Sequence, residues 1–293
     1  MTTFQTPGPI TAFVEIGSGD INVTASDRVD SVVTIRARDA AKEVDIQAAA
    51  NATVDIIGGV LTVKTVKAWK RLTGPSQKDG SVIVDLELPS TSSLSAHTGM
   101  GLVHCEGELS ATDVKTGLGD VRLDHVGALT ARSGLGNVVV ATADDVTVST
   151  GSGFVRLGSV LGTATVKNSS GNIDVAQCDR DINVRTASGD ITIGRALGSV
   201  VTRSASGQTT IAEVSSGSVN ARTSVGAIHI GVRDGAAAWL DVASKYGTVR
   251  NGLDAAAGPG ESDSTVEVRA RTGAGDITIE RANSAQTSRD LRR

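Results

Sequence analysis

The sequence is short of most of what an enzyme site or a conventional core is built from. Only six of its 293 residues are aromatic (three Phe, two Trp, one Tyr). A core must therefore be assembled from Val, Ile, Leu and Ala, and a sugar-binding groove, which depends on aromatic faces, has little to be made from. Cysteine occurs twice, at Cys105 and Cys178, too far apart in the chain's repeat to suggest a disulfide or a metal pair. Both read as buried thiols. The four histidines, His97, His104, His125 and His229, show no metal-ligand spacing. There is no nucleophile elbow, phosphate loop or Cys-x-x-Cys. The Gly-x-Gly phrases lead into strand patterns rather than helices, unlike dinucleotide motifs. No catalytic residue, cofactor or metal is implied.

Long apolar runs are also missing. Nothing approaches the roughly 18 residues of a membrane-spanning helix. The stretch from Met1 to Pro7 has neither a charged nor an apolar region of the kind that directs secretion. The expectation is a soluble cytoplasmic protein without a membrane span. A net charge of −4, from 28 basic and 32 acidic residues, gives no bulk preference for nucleic acid or membrane.

What the sequence does contain is one phrase written many times. A small or hydroxyl residue, two more residues and a glycine are followed by alternating apolar and polar positions. The glycines are Gly101, Gly119, Gly136, Gly153, Gly171, Gly189, Gly207, Gly226 and Gly247, at steps of 18, 17, 17, 18, 18, 18, 19 and 21 residues. A fixed period of this size marks a solenoid. Two residues after each glycine stand Val103, Val121, Val138, Val155, Ile173, Ile191, Thr209, Ile228 and Val249. Four after stand Cys105, Leu123, Val140, Leu157, Val175, Ile193, Ile211 and Ile230. Pairs such as Val146/Val148 and Ile182/Val184 precede the next glycine. Spacing by two puts each pair on one face of a strand, and β-branched residues suit half-buried strands. The fold expected is all-β: a parallel β-solenoid with two short strands on either side of a glycine corner in each turn. Hexapeptide acyltransferases have turns of similar length, but they require an apolar residue every six positions, which is not the spacing here.

The first 95 residues do not carry the repeat. They read as strands, a hairpin about Gly58 and Gly59, a helix from Asp39 to Ala50 with Asp39 as its cap, and a basic loop from Lys64 to Gly80. The division expected is a β-rich cap over residues 1–95, a solenoid over 96–281 and a disordered tail over 282–293.

The phrase Gly17-Ser18-Gly19-Asp20-Ile21, the exit Leu86-Glu87-Leu88-Pro89 and repeats such as Thr116-Gly117-Leu118-Gly119-Asp120-Val121 resemble a known family. It is the bacterial β-strand-repeat family called "putative adhesin", a domain of unknown function. The segments Ile230 to Asp241 and Gly273 to Ile279 add to the likeness, which runs from Pro7 to about Arg281. The resemblance implies a β-helix-like fold and supplies no catalytic residues.

Three features are candidates for function. Four residues before successive glycines stand Lys115, Arg132, Ser149, Lys167, Arg185, Arg203 and Arg222, with Arg271 later. Stacked turns would line these cations up at roughly 5 Å intervals, where they could follow a polyanion. The alternative is a solvated edge whose arginine stems cover apolar surface. Asp120, Asn137, Phe154, Asn172, Asp190 and Gln208 stand just after the glycines, and the Asp and Asn members invite comparison with calcium-binding repeats. Those need carboxylates every nine residues or so, and turn-stabilising side chains are the simpler account. Trp69, among Lys64, Lys67, Lys70, Arg71 and Lys78, suits an interface or an exposed loop.

The function expected is a non-enzymatic scaffold or assembly element that binds a protein partner or itself. A polyanion-binding module using Lys115, Arg132, Lys167, Arg185, Arg203 and Arg222 is the first alternative, and a glycan-active β-helix enzyme the second.

Overall fold

The computed structural model describes residues 1–65, 80–254 and 264–282. The Trp69 loop, most of the loop after Asp254 and the polar tail lie outside the described residues. The chain divides into two compact units, Met1–Ala143 and Asp144–Arg293.

The first unit contains β1 (Thr2–Gln5), β2 (Thr11–Ser26), β3 (Asp30–Ala37), α1 (Glu43–Ala50), β4 (Thr53–Ile57), β5 (Val60–Lys64), β6 (Val82–Pro89), β7 (Ser92–Met100), β8 (Val103–Leu118) and β9 (Val121–Leu135). The unit boundary falls within β10 (Val138–Ser152). Strand β2 is itself a rung of the solenoid. Its first half lies parallel between β5 and β7, with Val14 beside Val63 and Ala96. Its second half lies parallel between β6 and β8, with Val23 beside Leu86 and Cys105. The Gly19 phrase is thus stacked directly against the Gly101 phrase, 82 residues later. Strands β1, β3 and β4 run antiparallel, β3 on β6, β1 on β3 and β4 on β5, the last pair closing the hairpin at Gly58 and Gly59. Both hairpin glycines have positive φ, 57° and 78°, as a two-residue turn of this kind requires.

The helix differs from expectation. It begins at Glu43, with an extended Lys42 at its N-cap and no side-chain cap. Asp39 closes a tight turn instead, accepting a hydrogen bond from the Ala41 amide at 3.0 Å. The carboxylate that organises this region is the buried Asp45, which accepts from the amides of Asp39 and Ser81 at 3.1 and 2.8 Å. A turn residue using its own side chain locally is not free to cap a helix three residues on.

The second unit contains β11 (Val155–Val160), β12 (Ala164–Ser170), β13 (Ile173–Cys178), β14 (Ile182–Ser188), β15 (Ile191–Ala196), β16 (Val200–Ser206), β17 (Thr209–Val214), β18 (Gly217–Val225), β19 (Ile228–Val232), β20 (Ala237–Tyr246), β21 (Val249–Asn251), β22 (Thr265–Ala274) and β23 (Ile277–Arg281). Even- and odd-numbered strands from β12 to β19 form two parallel ladders, one turn per rung, as Val166↔Val184 and Ile173↔Ile191 illustrate. The inward columns expected from the sequence are buried, with Val155, Ile173, Ile191 and Ile228 at 1% exposure or less. Val249 is the exception, at 40%.

That exception has a structural cause. Sequence order places the Gly247 turn on the Gly226 turn, but the chain skips a rung and then fills it. The Gly226 amide donates to the Ala274 carbonyl, and the Gly275 amide donates to the Tyr246 carbonyl, both at 2.8 Å. Strands β22 and β23 therefore lie between β18–β19 and β20–β21. The inserted rung carries Val266, Val268, Ala270, Ile277 and Ile279, all fully buried. The outermost one carries Trp239, Tyr246 and Val249, which remain exposed. Placing the rung with the more apolar inward column inside buries more apolar surface.

This order predicts a cross-linking pattern. Asn220 and Arg269 are register partners, so Asn220→Cys with Arg269→Cys should oxidise readily to a disulfide. Asn220→Cys with Asp241→Cys should not, because two rungs separate them by roughly 9–10 Å. The reverse pattern on a non-reducing gel would restore the sequence order.

Candidate functional site

The glycine corner has three working parts. Each corner glycine has a φ that other residues avoid, +131° at Gly189 for example. At four corners the residue three before the glycine is buried and ties the corner to the rung behind. Thr98 Oγ1 donates to the Gly19 carbonyl (3.3 Å), Asn168 Nδ2 to that of Gly153 (2.9 Å), Thr223 Oγ1 to that of Gly207 (3.3 Å) and Thr272 Oγ1 to that of Gly226 (2.9 Å). Where the residue just after the glycine is Asp or Asn, its side chain can receive the neighbouring rung's amide. Asn137 N donates to Asp120 Oδ1 (2.9 Å), Asp190 N to Asn172 Oδ1 (3.0 Å), Gln208 N to Asp190 Oδ1 (2.8 Å) and Thr248 N to Asp276 Oδ1 (2.8 Å). The acidic column is thus occupied with backbone amides. No group of three or more metal-ligating side chains occurs among the described residues.

The histidines and cysteines are dispersed. His97 pairs with Asp113 (3.1 Å), His104 with Glu106 (3.0 Å) and His229 with Glu280 (3.2 Å). Cys105 and Cys178 are free and buried, and burial pushes both thiols above their ordinary pKa, which makes them poor nucleophiles.

The basic column differs between the units. In the first, Lys115 stands beside His97 on one rung and Arg132 on the next. Asp113, two residues before Lys115, lies in the neighbouring outward column and is within 3.4 Å of Arg132 as well as bonded to His97. Asp113 thus offsets the charge of Arg132. In the second unit Lys167, Arg185, Arg203 and Arg222 occupy four successive rungs in strict register. All four are exposed, and none has a carboxylate within 4 Å among the described residues. The outward column two residues before them holds Thr165, Asn183, Val201 and Asn220, and the column two after holds Ser169, Ala187, Ala205 and Ser224. Neutral and small neighbours leave the cations bare. Arg271 continues the line beside Arg222, because of the inserted rung, but is bonded to Asp241 Oδ1 at 2.6 Å. A groove of about 390 Å³ opens at one end of the column, lined by Ser149, Lys167, Ser169, Arg185 and Ala187 with the buried Thr150, Asn168 and Thr186 at its floor.

A family model, described as Toastrack DUF4097, matches residues 11–283. The chain belongs to the Toastrack family. The match covers both units and the inserted rung. Among solved structures, one similar to this Toastrack chain is a "putative adhesin" from Bacteroides fragilis, at 14% identity, 95% coverage of each chain and a TM-score of 0.37. Another is a "putative lipid binding protein" from Parabacteroides distasonis, at 12% identity, 95% coverage of each chain and a TM-score of 0.38. No curated protein matches. No helix among the described residues is long and apolar enough to cross a membrane.

The sequence pattern located the basic column but missed which part of it is free. That signal was present as Asp113 two residues before Lys115, against Thr165, Asn183, Val201 and Asn220 at the matching positions. The Trp69 loop, with Lys67, Lys70, Arg71 and Lys78, lies outside the described residues.

Proposed function

We propose that this Toastrack protein acts by binding rather than catalysis, as an interaction scaffold whose second unit holds an extended anionic polymer along Lys167, Arg185, Arg203 and Arg222. One observation carries this reading: four cations in register on successive rungs, none with a carboxylate within reach among the described residues. Like charges at roughly 5 Å intervals repel. Many other outward cations sit in opposite-charge pairs, such as Arg122–Asp120, Arg195–Glu213 and Arg269–Glu267. A column that keeps its charge bare on such a surface is organised for an external anion. The ladder fixes the spacing of the four backbone positions before binding, so little backbone order has to be supplied on association.

The test is a titration with heparin and with duplex DNA at two salt concentrations. Wild type should bind at about 50 mM salt and lose affinity steeply as salt rises, because each neutralised anionic group releases counterions. Replacing Lys167, Arg185 and Arg203 together with Gln should weaken binding and reduce the log–log salt slope on duplex DNA by about 3. All three side chains point outward, so the circular dichroism spectrum should not change. Absence of wild-type binding at low salt, or equal binding by the triple variant, overturns the proposal.

A further inference from the structure

The outermost rung of the second unit offers a second kind of surface, an open strand edge. Strand β20 is ten residues long and hydrogen-bonds to β22 on one side only among the described residues. It contains no proline and no inward-pointing charge, two of the devices that protect an exposed edge. Its inward column, Leu240 and Val242, is covered from one side only and half-exposed. Trp239 is 57% exposed and Tyr246 68%.

We infer that β20 is a self-association edge, pairing antiparallel with β20 of a second copy about a two-fold axis at Ala243. The sequence of the strand is self-complementary in that register. With Ala243 opposite Ala243, each Asp241 faces its partner's Lys245, and Val242 faces Ser244. Asp241 and Lys245 share the outward face of the strand with Trp239 and Ala243, so each cross-strand pair sets opposite charges on one face, with Asp241 Oδ1 also held by Arg271. A one-residue slip would set inward residues against outward ones, so the arrangement is selective for register. An isologous contact of this kind closes on itself and gives a dimer rather than an open filament. It pairs the free backbone groups of the edge and covers Leu240 and Val242 from their open side. It uses the end of the unit and leaves the cation column on its flank unobstructed, so it stands apart from the polymer-binding proposal.

The experiment is sedimentation velocity from low to high micromolar protein, on wild type, Lys245→Glu and Ala243→Cys, with folding checked by circular dichroism. Wild type should show a concentration-dependent dimer. Lys245→Glu, which sets two carboxylates against each other at each end of the contact, should weaken it by about tenfold or more. Lys245 is exposed and lies over the Tyr246 ring without a carboxylate partner among the described residues, so the monomer should remain folded. Ala243→Cys should give a covalent dimer under mild oxidation, whereas wild type, whose two cysteines are buried, should not. A wild type that stays monomeric throughout overturns the inference. So does a dimer indifferent to Lys245→Glu and not cross-linked through Ala243→Cys. Edge amides of β20 that are protected from hydrogen exchange in the monomer, and exposed on removal of residues 283–293, would assign the edge to the chain's own tail and likewise overturn it.

Discussion

Replacing Ile191 with Asp is expected to melt the turns around it. Ile191 is fully buried between Ile173 and Thr209 on the neighbouring rungs. Among the described residues no arginine or lysine occupies an inward position in the second unit's strands. A carboxylate placed there is either charged without a partner or protonated at a cost, and the loss should be about 3–5 kcal/mol. A stack of rungs held by nearest-neighbour contacts opens locally rather than all at once. The expected signature is therefore a lower first transition in thermal unfolding and new protease cleavage between β13 and β17. Ile191→Val removes one methylene and should cost only about 1 kcal/mol. Wild-type stability of Ile191→Asp would mean that the column points outward and that the register is wrong.

Gly189→Val should be nearly as damaging, for a different reason. The backbone at Gly189 has φ +131°, a region that β-branched residues do not occupy without strain. A Cβ built there would lie 2.3 Å from the Gly171 carbonyl oxygen and 2.6 Å from its carbon. Those atoms belong to the corner one rung away and are held by that rung's own hydrogen bonds. The clash can be relieved only by parting the two rungs. The cost should exceed about 3 kcal/mol, from strain and lost ladder bonds together. Asp190→Ala, one residue away, removes a single exposed hydrogen bond from the Gln208 amide and should cost about 1 kcal/mol. Chemical denaturation of both variants checks the contrast, and equal small effects would show that the corner does not depend on close backbone approach.

These two positions also show why so much of the fold was legible in the sequence. Ile191 and Gly189 each belong to a column that recurs at a constant offset, and a solenoid makes every member of a column do the same job. Register, burial and corner conformation followed from the period alone. Features that depend on one particular pair of segments did not follow. The Gly247 and Gly275 phrases are equivalent as local patterns. Which one covers the Gly226 turn is decided by the buried surface of Val266, Val268 and Ala270 against the exposed Trp239 and Tyr246. The Gly19 phrase was visible, but its partner, the Gly101 phrase, lies beyond a helix and several antiparallel strands that no period predicts. Asp39 looked like a helix cap because its chemistry fits one, yet its side chain is committed to a turn. Thr209 takes an inward position with its hydroxyl unpartnered, and nothing in the structure explains a polar residue there. In the candidate site, the column was legible and its electrostatics were not, since the difference between Arg132 and Arg203 lies in the neighbouring column.

A charge-matched comparison tests the cation ladder most directly. One variant carries Lys167, Arg185 and Arg203 replaced by Gln. The other carries Arg156, Arg195 and Arg250 replaced by Gln, all in the second unit but on the other ladder of strands, where Arg156 and Arg195 face Asp174 and Glu213. Each variant lowers the net charge from −4 by three, to −7, so bulk electrostatics cannot separate them. Heparin affinity measured at about 50 mM salt should fall sharply for the first variant, through loss of counterion release at the ladder, and little for the second. Equal losses in the two variants would contradict the account, because binding would then follow net charge and not the ordered column.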